Sequence, residues 1–204
     1  MPRVSRKQAA LNREIIVEAA THLFRERGLH GISLSDVMAA AGLTHGGFYG
    51  HFASKEALAT EASQKAFEQS NQGWQEKLER CEDPHSAREA ILRHYFSANH
   101  RDNPGDGCPI SAFTPDMCHE PADTPLQHTF IAGVEQSLEI FAQLQDDDRQ
   151  AMLAKYAMMI GAVTLARATR GSSLSDEFLE AARNTLLPEK KSDVSVDSRA
   201  PGPA

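Results

Sequence analysis

The chain has 204 residues, enough for one large domain or for a small domain beside a larger one. Its net charge of −7 argues against a protein that coats nucleic acid over its whole surface, and three irregularly spaced cysteines do not make a disulfide framework. The longest nearly unbroken apolar run, Tyr156 to Ala166, is shorter than the roughly 20 residues a membrane span needs. No apolar stretch follows the basic start as it would in a signal peptide. A soluble protein of the reducing cytoplasm, without a membrane partner, is expected.

The charge is unevenly spread. Residues 1–60 hold seven Lys and Arg against five Asp and Glu, with four histidines, so the excess of acid lies in the remainder. An acidic protein can bind a polyanion if its basic groups share one face. Residues 1–10 form a basic arm with Arg3, Arg6 and Lys7. From Leu11 to Arg27, Ile16, Ala20, Leu23 and Phe24 recur at helical spacing. Gly28 and Gly31 end that helix. Ser33-Leu34-Ser35-Asp36 reads as a capping box with Asp in the usual Glu place. It opens a short helix that Gly42 breaks. Thr44 is positioned to cap a third short helix to about Phe52, and Ser54 a long fourth one to about Arg80. Two short helices joined by a tight glycine turn predict a helix-turn-helix, whose second helix enters the major groove of DNA.

The rest also reads as helical. Asp83-Pro84 starts a helix reaching about Asn99. Residues 101–109 and 121–125 are breaker-rich loops around a short segment, Ile110 to His119. Longer helices are expected over 126–145, 148–170 and 175–187, with Asp146, Asp147 and Asp148 at the positive end of the second. Residues 189–204 have little to bury and are expected to be disordered. The predicted fold is all-α: an N-terminal three-helix helix-turn-helix domain with its arm (1–53), then a larger α-helical ligand-binding and dimerisation domain (54–188).

The stretch SLSDVMAAAGLTHGGFYGHFASKEAL, residues 33–58, resembles the DNA-binding signature of the TetR/AcrR family of transcriptional regulators. Matching positions are Ser33, Ala41-Gly42-Leu43, Thr44, Gly46, Phe48-Tyr49, His51-Phe52, Ser54-Lys55-Glu56 and Leu58. The resemblance implies a repressor that binds a palindromic operator in double-stranded DNA as a homodimer. It places His45, Gly46 and Gly47 against base edges and Tyr49 and His51 against phosphates. Lys55, at a helix start, suits a phosphate as well, and so do the hydroxyls of Ser33 and Ser35. Phe48 and Phe52 point inward. Gly47 and Gly50 depart from the family, which often has larger side chains there. Direct readout is left mostly to His45 and Thr44, with backbone approach and DNA shape supplying the rest.

The resemblance also implies that the C-terminal helices bind an inducer and form the dimer. The stretch YAMMIGAVTLARA is apolar nearly all round, with Gly161, Ala162, Ala166 and Ala168 allowing close helix contact. Together with Ser175 to Leu187 it is a candidate dimer interface; a helix that merely crosses one subunit's core would look similar. GDGCPISAFTPDMCHE resembles an LmrA/YxaF-like or electrophile-responsive subgroup of the family.

Three effector readings stay open. Cys108, near a helix start, is a candidate thiol sensor, by adduct or by disulfide with Cys118; a buried inert cysteine is the plain alternative. Trp74, Tyr95, Phe96, Phe113, Met117, Phe130, Met158 and Met159 are candidates for a lipophilic pocket, though such residues at helical spacing are often core. His94, His100, Cys108, Cys118, His119 and His128 include metal-ligand types, but their spacing fits no closed site, so no metal ligand is assigned. A nonspecific architectural DNA binder and a metal-responsive one are the alternatives to an inducible repressor. An enzyme is not expected: there is no Gly-x-Ser-x-Gly elbow, Walker loop or dinucleotide fingerprint, and no cofactor is implied.

Overall fold

A computed structural model describes residues 5–187. The expectations for Arg3 and for the tail from residue 189 lie outside the described residues. Nine α-helices and two 3₁₀ turns are present among them, and no strand.

Helix α1 (Arg6–Arg27) is capped by Ser5, whose hydroxyl accepts from the Gln8 N–H. Helix α2 (Leu34–Ala40) begins at the capping box read from sequence. The Ser33 hydroxyl accepts from the Asp36 N–H, and the Asp36 carboxylate accepts from the Ser33 N–H. Gly42, with φ 68°, ends α2. The Leu43 N–H donates to Met38 O and the Gly42 N–H to Ala39 O, a Schellman closure that a side chain at Gly42 would strain. The third helix, His45–Gly50, is 3₁₀ rather than α. Three glycines in six residues weaken the α form. Thr44 occupies its N-cap, but its hydroxyl makes no cap bond.

Helix α3 (Lys55–Arg80) follows, capped by Ser54. Helix α4 (Pro84–Tyr95) ends four residues earlier than its sequence suggests. Ser97 caps a separate short helix, α5 (Ala98–Asp102), with its hydroxyl accepting from the His100 N–H. A 3₁₀ turn at Pro104–Asp106 leads into α6 (Pro109–Met117). Then come α7 (Pro125–Ala142), α8 (Arg149–Ala168) and α9 (Ser173–Leu186). Asp148 caps α8, while Asp147 pairs with Lys155 at 2.7 Å.

Two apolar clusters hold these helices. One gathers Ile16, Ala20, Phe24, Val37, Met38, Phe48 and Phe52 with the first half of α3, and Phe113 and Leu126 join it. The other packs the second half of α3 with α4, α6, α7, α8 and α9 around Trp74, Tyr95, Phe141 and Tyr156. Helix α3 runs through both, so the first cluster continues past residue 54. Gly133 lets α7 cross α3 closely: the Phe67 ring occupies the space a Cβ would take. By length and composition, α8 is the one described helix apolar enough to cross a membrane. Its Tyr156, Met159, Val163 and Ala166 are instead committed to the second cluster.

Candidate nucleic-acid interface

The recognition helix is anchored from below. Phe48 is fully buried and stacks on Phe52 at 5.7 Å between ring centroids. Phe52 in turn lies under the Arg13 guanidinium, 4.6 Å from its ring centroid. This fixes which edge of His45–Gly50 faces out. Tyr49, 68% exposed, projects from it with its ring edge-on to Phe48. Thr44 and His45 are exposed beside it. His45 Nδ1 lies 3.3 Å from Ser35 Oγ, so the first turns of both helix-turn-helix helices meet. Sequence reasoning placed Ser35 against a phosphate and missed this contact.

Two further candidate DNA contacts, Ser33 and Lys55, have their side chains engaged within the chain. The Ser33 hydroxyl donates to the Asp36 carboxylate at 2.6 Å, and this bond is the first cause holding Asp36 below the usual carboxylate range. Lys55 Nζ donates to Ile32 O at 2.6 Å, bracing the loop before α2 from the start of α3. His51 is the residue that closes the recognition helix, its N–H donating to Phe48 O. Gly46 and Gly47 lie on the exposed side, and a Cβ added at Gly47 would point toward the Met38 methyl.

The candidate effector residues do not form one group. Trp74 and Tyr95 meet in the second cluster, 6.4 Å apart, with Phe96 edge-on to Tyr95. Phe113 and Met117 belong to the first cluster. Met158 is exposed on the outer side of α8. Cys108 is 6% exposed and sits at the N-cap of α6, whereas Cys118, at the other end of that helix, is exposed. Ten residues at about 1.5 Å each separate the two by roughly 15 Å. A disulfide requires Cα atoms within about 7 Å, so the expected Cys108–Cys118 pairing within one chain is corrected by the geometry of α6.

The segment from His100 to Cys108 is held by several buried hydrogen bonds. His100 Nδ1 lies 2.7 Å from Tyr95 O, and Nε2 accepts from the Cys108 N–H at 3.0 Å. Both ring nitrogens are used, which requires a neutral imidazole and removes it from metal ligation. Burial, then the Arg167 charge, pushes its pKa down to about 4. Arg167 donates to Arg101 O, His100 O and the Ser111 hydroxyl. Gly107 is needed here, since a Cβ would lie 2.5 Å from the Arg167 guanidinium. Burial lowers the Arg167 pKa as well. The Tyr95 hydroxyl is buried without a hydrogen-bond partner, and burial followed by the nearby Cys108 pushes its ionisation well up.

This segment also grips α1. Arg25 donates to Gly107 O at 3.3 Å, to Thr21 O and to Gln69 Oε1. Asp116 on α6 accepts from the Leu29 N–H at 2.9 Å. His22 lies 3.3 Å from Asp106 on the wall of an open groove of about 640 Å³. Arg25, Arg167 and Asp116 did not stand out as functional in the sequence, and His100 did so only as a metal-ligand type. Their one signal was a charged or polar residue on the apolar side of a helix, which tertiary contacts alone explain. Among the described residues no group of three or more His, Cys, Asp or Glu is placed to hold a metal ion.

A helix-turn-helix with an exposed recognition edge, set on a larger helical body, defines a DNA-binding regulator. The family described as "Bacterial regulatory proteins, tetR family" matches residues 16–62. The HTH-type transcriptional repressor DhaR of Mycobacterium sp. (strain GP1) is 28% identical over 198 residues, covering 91% of this chain and 97% of that protein. The HTH-type transcriptional regulator LmrA of Bacillus subtilis (strain 168) is 36% identical over 83 residues, 40% of this chain and 44% of that one. A TetR transcriptional regulator from Chloroflexus aurantiacus shares the fold with a TM-score of 0.69 and 29% identity, over 88% of this chain and 94% of that one. The chain belongs to the TetR/AcrR family and is a DNA-binding transcriptional regulator of the repressor type. A metal-responsive or nonspecific architectural protein is not favoured.

Proposed function

We propose that this protein is a cytoplasmic, non-enzymatic repressor that binds a palindromic operator as a homodimer and leaves it on binding a small lipophilic ligand or on modification of Cys108. One observation carries the DNA-binding part. The recognition helix turns its unbonded groups, Thr44, His45 Nε2 and Tyr49, outward while Phe48 and Phe52 anchor its back. Residues 1–53 carry this surface, and 54–188 carry effector binding and dimerisation.

The dimer reading is supported by an apolar outer face on α8 and α9. Leu153, Met158, Leu165 and Leu174 are exposed there, beside a groove of about 320 Å³ floored by Gly161 and Ala162. Exposed apolar faces of this kind are covered by partners. The effector reading is supported by position. Cys108 and the aromatic cluster adjoin the segment that Arg25 ties to α1, and α6, which Asp116 ties to the loop after α1. A ligand or adduct that displaces the 100–108 segment pulls on α1 and so on the recognition helix. Because Cys108 is buried, its modification requires that segment to open.

Fluorescence-anisotropy binding to the gene's upstream DNA tests the whole reading. A stoichiometric thiol-reactive electrophile releases the wild type from DNA and spares Cys108→Ser if the thiol is the sensor. If both stay bound after confirmed modification, Cys108 is structural and release belongs to a lipophilic ligand. A protein monomeric at micromolar concentration by sedimentation would remove the dimer.

A further inference from the structure

The recognition helix, HGGFYG, spends three of its six residues on glycine. Each glycine costs a helix roughly 1 kcal/mol relative to alanine. Backbone conformation does not demand them: the glycines with positive φ are Gly28, Gly42 and Gly171. Crowding does not demand them either. A Cβ at Gly47 would make ordinary contact with the Met38 methyl at 3.7 Å, and a Cβ at Gly46 or Gly50 would meet nothing within 4 Å. The fold therefore has no use for glycine at 46 and 50, and their effect is a bare, approachable surface.

His45 stands beside that surface with its Nδ1 against Ser35 Oγ. An imidazole nitrogen is much more basic than a hydroxyl oxygen, so the hydroxyl donates and the ring carries its proton on Nε2. No group of the chain bonds Nε2 among the described residues. In the major groove guanine offers the acceptors N7 and O6, whereas cytosine offers its N4 amino donor. An outward N–H therefore favours guanine.

We propose that His45, oriented by Ser35, reads a guanine edge through Nε2–H, and that Gly46 and Gly50 leave the helix backbone bare enough for this short side chain to reach it. Ser35 is a positioning residue, not a DNA contact. The inference rests on the DNA-binding reading of the same face.

Selection from a pool of randomised duplexes with the full chain tests it, with ¹⁵N NMR reporting the His45 tautomer. The wild type enriches a G·C pair at one position of each half-site, and free His45 shows the Nε2–H form. Ser35→Ala lowers the preference at that position about 10-fold, the size of one good base contact, and mixes the tautomers. Ser35→Thr, which keeps the hydroxyl, restores both. His45→Gln moves the preference toward adenine, whose N6/N7 edge matches an amide. Gly50→Ala melts no lower than the wild type yet binds the selected duplex at least several-fold more weakly. Unchanged base preference and tautomer in Ser35→Ala, or full-strength binding by Gly50→Ala, would overturn the proposal while leaving the DNA-binding reading standing. If the wild type enriches no sequence, that reading itself fails.

Discussion

The recognition edge and the 100–108 segment treat their polar groups in opposite ways. At the recognition edge Thr44, His45 and Tyr49 leave donors facing water, on a backbone thinned by glycine. Around the 100–108 segment two arginines and a neutral histidine spend their nitrogens mostly on backbone groups, and Tyr95 is left with a buried, unpaired hydroxyl. Groups left free in water suit a ligand that arrives from outside. Groups saturated in the interior suit a joint that must hold one geometry until something displaces it. Opposite requirements within one small protein thus give a surface built for contact and a core built for a defined change.

Several perturbations would sharpen or break this contrast. The largest effect is expected at the anchor beneath the recognition edge. Phe48→Ala empties a fully buried site and should cost about 3–5 kcal/mol, read as a lowered melting temperature with loss of DNA binding. A loss below about 1 kcal/mol would mean that the edge is not held from beneath.

Next is the neutral His100. Its pKa in the folded state is depressed to about 4 from 6.5, so the unfolded chain takes up the proton first as pH falls. The stability His100 confers is complete above about pH 6.5. It is lost progressively as pH drops toward 4, for a total on the order of 3 kcal/mol. Denaturant midpoints for the wild type should fall more steeply across that window than those of His100→Gln. Parallel curves would show that the imidazole is not neutral and buried as described.

A smaller change is expected at the tie between α6 and the loop after α1. Asp116→Ala leaves the Leu29 N–H without its acceptor and should cost about 1–3 kcal/mol. It should also weaken the effect of any inducer on DNA affinity, measured as the ratio of affinities with and without it. An unchanged ratio would remove Asp116 from the route.

Smallest is Lys55→Ala. If its ammonium exchanges Ile32 O for a phosphate on binding, the salt slope of log K should fall by about one. An unchanged slope leaves Lys55 a brace within the chain.

The legible part of the molecule was its local chemistry. The Ser33–Asp36 capping box, the Gly42 turn, the Asp83-Pro84 start and the long apolar helices follow from residues close in sequence, and each is present. The break at Ser97 was hidden because the stretch around it carries no glycine or proline. The 3₁₀ form of the recognition helix was hidden because glycine content weakens an α-helix without naming its replacement. At the site, the motif pointed to the recognition helix but not to which hydroxyls stay free. Ser33 turned out to be taken by Asp36, and Ser35 to lie against His45. The roles of Arg25, His100 and Arg167 were illegible for a different reason. Their partners lie 4 to 82 residues away and are mostly backbone carbonyls, which leave no mark in a sequence.

The most direct measurement is a competition between one selected palindromic duplex and a scrambled duplex of the same length, followed by anisotropy across a salt series. A repressor that reads its operator through the His45–Gly50 edge should prefer the palindrome by about 10³-fold or more at physiological salt, with both affinities falling as salt rises. Equal affinity for the two duplexes would contradict sequence-specific binding by this edge and the account built on it.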